Sequence, residues 1–220
     1  MLKAVIFDFD GTILDTESPE YQAWCELYES HGCSLDLATW CTGVGTRNGF
    51  DPYGHLESLS ATPIDRDAVR SRLRARKLEL NALQPIRNGV EARLQEAREL
   101  GLGLAVASSS DLDWVHDNLV RCELRHHFEA VLCTGPDLPA KPNPALYLAA
   151  VAALGVLPSE AVAFEDSPNG IAAATAAGVY CIACPNPITS LLDLSKADRV
   201  VVSLEAVSLS ELGKELFGGV

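Results

Sequence analysis

The chain has 220 residues, 48% of them hydrophobic, so it can form one large domain or two unequal ones around a substantial core, and disorder is not expected. Its 17 Lys and Arg against 30 Asp and Glu give a formal charge of −13, which argues against a nucleic-acid partner or an anionic membrane surface. No apolar run is as long as a bilayer-spanning helix requires.

The N-terminal third begins with an apolar run, Lys3–Phe7, which predicts a short buried strand. Helical signals then dominate from Thr16 to about Leu83. Ser18-Pro19-Glu20 has the order of an N-cap, a proline at the first helical position and an acidic first turn, and the helix it opens is predicted to stop near Gly32. A second long helix is predicted over Asp65–Leu83.

The pattern changes at the break Gln84–Gly89, after which apolar strands alternate with helices. The predicted strands are Leu102–Ala107, Ala130–Cys133, Ala161–Phe164, Val179–Ala183 and Arg199–Val202, and the predicted helices are Val90–Leu100, Asp111–Arg121, Pro144–Leu154 and Ile171–Ala177. This alternation is typical of a parallel sheet covered on both faces. We therefore predict an α/β fold with a Rossmann-like parallel sheet core, formed by residues 1–15 and 84–220, and an inserted small α-helical cap domain at 16–83.

Polar residues follow several of the predicted strands. Asp8 and Asp10, one residue apart after the first strand, repel each other unless a cation or chemistry compensates. In an open parallel sheet, ligands bind outside the carboxyl ends of the strands. The other polar residues that could meet there are Ser108-Ser109-Ser110, Lys141, Glu165 and Asp166.

The charge of this set predicts its ligand. Its four carboxylates and one lysine sum to −3, which a divalent cation would reduce to −1. Two unit charges about 4 Å apart interact by roughly 4 kcal/mol at a surface-like dielectric, so the repulsion matters. Oxygen ligands without clustered His or Cys favour Mg²⁺ over Zn²⁺, and a lysine and a serine beside such a metal suit phosphoryl oxygens.

Four motifs occur in order: Asp-x-Asp-Gly-Thr at 8–12, a serine after the second motif strand, Lys-Pro-x-Pro at 141–144 and Glu-Asp-Ser at 165–167. Together they resemble the haloacid dehalogenase-like (HAD) superfamily of phosphohydrolases. The resemblance runs from Lys3 to about Ala183 and is strongest to the β-phosphoglucomutase-like phosphatases. It implies a HAD-like core, and the segment after the first motif is similar to the small helical cap of that family.

The resemblance also implies catalytic roles. Asp8 would attack phosphorus and become an aspartyl-phosphate. Asp10 would protonate the leaving oxygen and then take a proton from water. A nucleophile such as Asp8 should stay ionised beside a metal and a lysine, whereas Asp10 must be protonated part of the time.

The remaining roles implied by the resemblance concern binding. Mg²⁺ would be held by Asp8, the main-chain carbonyl of Asp10, and Asp166, with Glu165 assisting directly or through water. The phosphoryl group would be bound by Ser108, Ser109 and Lys141, with Gly11 allowing a close backbone approach.

Each motif also has a simpler interpretation. The aspartates could form an Asx-type turn, the serines could only cap a helix, and Lys141 and the pair Glu165-Asp166 could be solvated loop residues. Their positions at successive strand ends favour a shared site.

Three cap residues are candidates for substrate contact. Lys77 lies where the mutase relatives place a cap lysine, and Arg47 lies near the position of their phosphate-binding arginine. Glu20 occupies the place of the mutases' cap histidine, a departure that weakens the mutase interpretation. Most other basic residues of the helix predicted at 65–83 are expected to form a solvated face paired with acidic residues.

Seven cysteines, an odd number, are scattered along the chain, and no cationic signal peptide precedes the first predicted strand. Reduced thiols in a cytoplasmic protein explain this usage most simply. We therefore predict a cytoplasmic location and, by default, a monomer.

We expect a Mg²⁺-dependent phosphatase that hydrolyses a small phosphorylated metabolite, such as a sugar phosphate. The first alternative is a β-phosphoglucomutase-type phosphomutase, in which Asp8 would pass the phosphoryl group to a sugar hydroxyl. A 2-haloacid dehalogenase fits the sequence less well, because that branch of the superfamily lacks the second aspartate of the first motif, which is Asp10 here. A non-catalytic phosphometabolite-binding module would need no nucleophile, so the presence of both Asp8 and Asp10 argues against this alternative.

Overall fold

A computed structural model describes residues 1–44 and 50–218. The strands are β1 (Ala4–Phe7), β2 (Gly103–Ser108), β3 (Ala130–Cys133), β4 (Ala161–Glu165), β5 (Tyr180–Ala183) and β6 (Arg199–Val200). The α-helices are α1 (Glu17–Ser30), α2 (Leu37–Cys41), α3 (Pro52–Leu59), α4 (Arg66–Ala82), α5 (Val90–Glu99), α6 (Leu112–Arg121), α7 (Ala145–Ala153), α8 (Pro168–Ala176) and α9 (Leu209–Phe217).

The six strands form one sheet in the order β3-β2-β1-β4-β5-β6, and each neighbouring pair is parallel. Phe7 at the end of β1 is in register with Val106 of β2 and Phe164 of β4. The residues that follow these three strands therefore emerge at the same edge of the sheet. The predicted α/β fold with a parallel sheet core is confirmed.

Alternate residues of β1 enter two apolar layers, as the period of a strand requires. Val5 and Phe7 pack with α5, α6 and α9 on one face, whereas Ala4 and Ile6 pack with α7 and α8 on the other. Because all four side chains are fully buried, β1 is a rigid base for the residues that follow it.

The helices α1–α4 pack around a third apolar cluster that includes Trp24, Tyr28 and Trp40. The chain enters and leaves this helical segment at one place, because Leu14 and Ile86 form an isolated antiparallel bridge. The division into a core of 1–15 and 84–220 and a cap of 16–83 remains a prediction.

Two helices begin two or more residues before their predicted starts. The helix α1 begins at Glu17, so the assignment of Ser18 as its N-cap is wrong. The carboxylate of Asp15 accepts hydrogen bonds from the Ser18 backbone N–H at 3.0 Å and its hydroxyl at 2.7 Å, which satisfies the first turn from further upstream. The helix α8 begins at Pro168 rather than Ile171, because the Ser167 hydroxyl accepts a hydrogen bond from a backbone N–H in its first turn.

None of the helices in the described ranges is long and apolar enough to cross a bilayer. The seven cysteines all lie within those ranges, and all are free thiols.

Candidate active site

A lysine bridges two buried carboxylates at the carboxyl edge of the sheet. The Lys141 Nζ atom donates to Asp8 Oδ1 at 2.5 Å and to Glu165 Oε1 at 2.6 Å, and its side chain is only 5% exposed. The Tyr147 hydroxyl also donates to Glu165 Oε1, at 2.5 Å. Because Asp8 follows β1 and Glu165 ends β4, the adjacent strands bring them to the same lysine.

The electrostatics of this group favour an additional cation. Burial raises the pKa of Asp8 to about 8, although Lys141 opposes the shift. Burial, with the nearby charges of Asp8 and Glu165, raises the pKa of Asp166 well above its usual value. The ionised forms that a nucleophile and a metal ligand require are thus costly without further positive charge.

The same carboxylates form a candidate metal site. Oxygen atoms of Asp8, Glu165 and Asp166 all lie within 4.8 Å of one another, and all three residues are buried. The Oδ2 atom of Asp8 is buried and accepts no hydrogen bond from any residue in the described ranges. A hard divalent cation would satisfy this oxygen, so the donor set fits Mg²⁺.

Both carboxylate oxygens of Asp10 accept hydrogen bonds from residues at the end of β2 or after it. Oδ2 accepts from the Ser110 hydroxyl at 2.6 Å and, more weakly, from the Ser108 hydroxyl at 3.4 Å. Oδ1 accepts from the indole N–H of Trp114 at 2.9 Å. Trp114 belongs to none of the four sequence motifs. Its place in the first turn of α6, four residues after Ser110, was the available signal.

Ser108 and Ser109 play different parts in this geometry. Ser108 is buried and lines a cavity of about 240 Å³ together with Asp8, Asp10 and Lys141. Ser109 also borders that cavity. Its hydroxyl accepts a hydrogen bond from the Lys141 backbone N–H at 3.1 Å, which stabilises the position of the loop that carries the lysine.

Gly11 is packed against the carboxylate cluster. Its φ is +83°, and a Cβ atom at this position would lie 2.1 Å from Asp166 Oδ2. We expect Gly11→Ala to displace Asp166 and to lower the free energy of unfolding by more than about 1 kcal/mol, measured by urea denaturation. Gly101→Ala is the matched control, because φ there is +68° but no atom lies within 4 Å. Equal losses in the two variants would contradict the steric account.

A second cavity of about 530 Å³ lies between the helical segment and the core, and Asp10 and Trp114 border it. The cap candidates Glu20 and Lys77 also border it and form an ion pair of 2.6 Å. The candidate Arg47 lies outside the described residues.

Three further basic residues of α4 are paired with acids, as predicted: Arg66 with Glu57, Arg70 with Asp67, and Arg76 with Glu26. Arg74 borders the 530 Å³ cavity and has no ion-pair partner among the described residues.

Glu17 was not among the residues predicted from the sequence. The signal for it was its place as an acidic residue in α1, the helix that follows the first motif. It is half-buried, borders both cavities, and has its pKa raised to about 7 by burial and by the nearby acids Glu20 and Asp10. Ionisation of the Glu17 carboxyl therefore opposes folding. The free energy of unfolding should fall on this account as pH rises from about 4.5 to about 7.

We expect Glu17→Gln to remove this pH dependence. The variant should gain stability over the parent as pH rises from 5 to 8, by up to about 3 kcal/mol, in thermal denaturation of EDTA-treated protein. A difference that is constant with pH would contradict the assignment.

Comparisons with known proteins identify the family of the chain. The family model described as "haloacid dehalogenase-like hydrolase" matches residues 2–178. "Putative phosphatase YhcW" of Bacillus subtilis (strain 168) is 41% identical over 212 residues, covering 96% of each chain. "Fructose-1-phosphate phosphatase YqaB" of Escherichia coli (strain K12) is 31% identical over 180 residues, covering 81% of this chain and 94% of its own. The crystal structure of CbbY from Rhodobacter sphaeroides in complex with phosphate has a TM-score of 0.72 at 28% identity, covering 94% of this chain and 96% of its own.

Proposed function

Since the chain belongs to the haloacid dehalogenase-like hydrolase family and is a phosphatase, we propose that it hydrolyses a small phosphorylated sugar in a Mg²⁺-dependent reaction through an aspartyl-phosphate on Asp8. The observation that carries the proposal is the state of the Asp8 carboxylate. One oxygen is bound to Lys141, and the other is buried without a donor among the described residues. The fructose-1-phosphate phosphatase among the relatives supports a sugar phosphate as the substrate.

The proposed reaction has two displacements at phosphorus. In the first, Asp8 forms a bond to phosphorus, the ester P–O bond breaks, and Asp10 gives its proton to the leaving alkoxide. In the second, Asp10 takes a proton from water, whose oxygen attacks phosphorus, and the bond between Asp8 and phosphorus breaks to release phosphate.

Two residues of this chain would stabilise the negative charge on the transferring group. The ammonium of Lys141 is already fixed by two carboxylates, and the Ser108 hydroxyl lies in the same cavity, so both are in position before the substrate arrives. Asp8, Asp166, Glu165 and the carbonyl of Asp10 would hold Mg²⁺, which when bound supplies further positive charge to the phosphoryl oxygens.

The proposal is tested by measuring phosphate release from hexose phosphates and p-nitrophenyl phosphate, with Mg²⁺ and with excess EDTA. We expect turnover with Mg²⁺ that EDTA abolishes and added Mg²⁺ restores. Undiminished turnover in EDTA would contradict the metal dependence. A second arm supplies β-glucose 1-phosphate with a bisphosphate primer, and formation of glucose 6-phosphate instead of free phosphate would favour the mutase.

The contact between Trp114 and Asp10 leads to a further prediction. Trp114→Phe keeps a smaller aromatic ring and removes the N–H that donates to Asp10, so we expect kcat to fall about 10-fold with little change in KM. Trp40→Phe, assayed like the parent at saturating Mg²⁺, is the matched control, because its indole N–H is buried without a partner in the described ranges and little of kcat should be lost. Equal effects of the two changes on kcat would contradict a role for the Trp114 hydrogen bond.

A further inference from the structure

The side chain of Asn186, in the loop after β5, is bonded directly to the acidic cluster. Its Nδ2 atom donates to Asp166 Oδ2 at 2.7 Å, and both residues are 2% exposed. A buried donor at this distance holds one oxygen of a carboxylate in a fixed direction. Asn186 was not a candidate in the sequence analysis, because it lies 20 residues from Asp166 and belongs to none of the motifs.

The orientation of the Asn186 amide is fixed by its own loop. Its Oδ1 atom accepts hydrogen bonds from the backbone N–H groups of Ile188 and Thr189, each at 2.9 Å, so Nδ2 is the atom that faces Asp166. The Asn186 backbone N–H in turn donates to the Thr189 hydroxyl at 3.0 Å. These hydrogen bonds join residues 186–189 into one turn, which we refer to as the Asn186 turn.

The Asn186 turn also touches the helical segment. Ile188, at its centre, is 3% exposed and packs in the apolar cluster whose other described members all lie in residues 21–80, including Trp40. The thiol of Cys41, at the end of α2, donates a hydrogen bond to the Ile188 carbonyl at 3.8 Å. The same few residues thus join the apolar interior of the helical segment to a carboxylate of the proposed metal site.

We propose that Asn186 is a positioning residue that couples the seating of the helical segment to Asp166, so that metal binding is strongest when Ile188 is held in the apolar cluster. This inference rests on the proposed metal site. Coupling of this kind is reciprocal, so a loosened contact at Ile188 weakens metal binding, and bound metal tightens the contact. The helical segment would then affect the reaction through the Asn186 turn as well as through its substrate contacts.

The test measures the dissociation constant of Mn²⁺ by electron paramagnetic resonance on EDTA-treated protein without substrate. We expect Asn186→Leu to raise this constant about 10-fold or more, because an orienting partner of a ligand is lost. Ile188→Ala should raise it about 5-fold, although it removes no polar group. In the double variant, Ile188→Ala should add nothing further, because its effect passes through the Asn186 amide.

Leu27→Ala is the matched control. It removes the same number of carbon atoms from the same apolar cluster, in the groove between α1 and α4, and should leave the Mn²⁺ constant within about 2-fold of the parent. Thermal denaturation checks that each variant is folded, and Ile188→Val provides a milder change with an intermediate effect.

Three results would overturn the coupling: a parent-like Mn²⁺ constant in Asn186→Leu, equal weakening by Leu27→Ala and Ile188→Ala, or an undiminished Ile188→Ala effect in the Asn186→Leu background. Failure of the parent protein to bind Mn²⁺ would instead contradict the metal site, and the coupling with it.

Discussion

Replacing Asp8 with asparagine is expected to lower kcat for phosphate release by at least about 10³-fold, because the amide cannot form the covalent intermediate. The fold should persist, since the amide oxygen can still accept the hydrogen bond from Lys141 and an amide does not carry the cost of a buried charge. Steady-state phosphate release and thermal denaturation measure the two effects separately.

The control for this variant is Asp137→Asn, an exposed aspartate in the loop after β3, which should keep kcat within about 2-fold of the parent. Turnover that survives in Asp8→Asn would exclude the nucleophile assignment, and loss of turnover in both variants would point to a general effect of charge.

Replacing Lys141 with methionine should reduce both stability and turnover. Without the ammonium, Asp8 and Glu165 are buried without a counterion, and breaking such a group by removing one partner costs about 3–5 kcal/mol. The loss should shrink as pH falls from 8 to 5, because Asp8, whose pKa burial raises to about 8, can then be protonated. Urea denaturation of EDTA-treated protein at pH 5 and pH 8 measures this difference.

The double variant Lys141→Met, Glu165→Gln separates charge from packing. It leaves one unpaired carboxylate in place of two, so it should recover part of the stability lost in Lys141→Met. A loss that is independent of pH and unchanged in the double variant would mean that packing, not the ion pair, fixes Lys141.

The sheet could be predicted closely from sequence because its strands are continuous apolar runs bounded by turn residues. Ala130–Cys133 was predicted at the bounds that β3 has, and all six strands were found. Helix starts were less accurate because polar side chains compete to cap them. For α1, Asp15 accepts the first-turn hydrogen bonds, three residues upstream of the serine that the pattern indicated.

Part of the candidate site could likewise be predicted from the sequence, and part could not. The motif residues could be proposed because each follows a strand or lies in a loop between strands, and parallel topology brings strand ends together. Asn186 could not, because its contact depends on how a loop turns back toward the sheet, and Trp114 was indicated only by its place in the first turn of α6. The substrate roles of Glu20, Arg47 and Lys77 remain predictions. Glu20 and Lys77 bond to each other, a contact between residues 57 positions apart that no local pattern encodes.

The bridge between Leu14 and Ile86 bears on how substrate choice can diverge. Because the outgoing and returning chains run side by side, the stretch between them can be exchanged for one of another length without stretching the backbone on either side. A graft of this kind would keep the phosphoryl chemistry and change the molecules admitted to it. Besides a binding surface, the new segment would have to provide an apolar cluster in which Ile188 can pack.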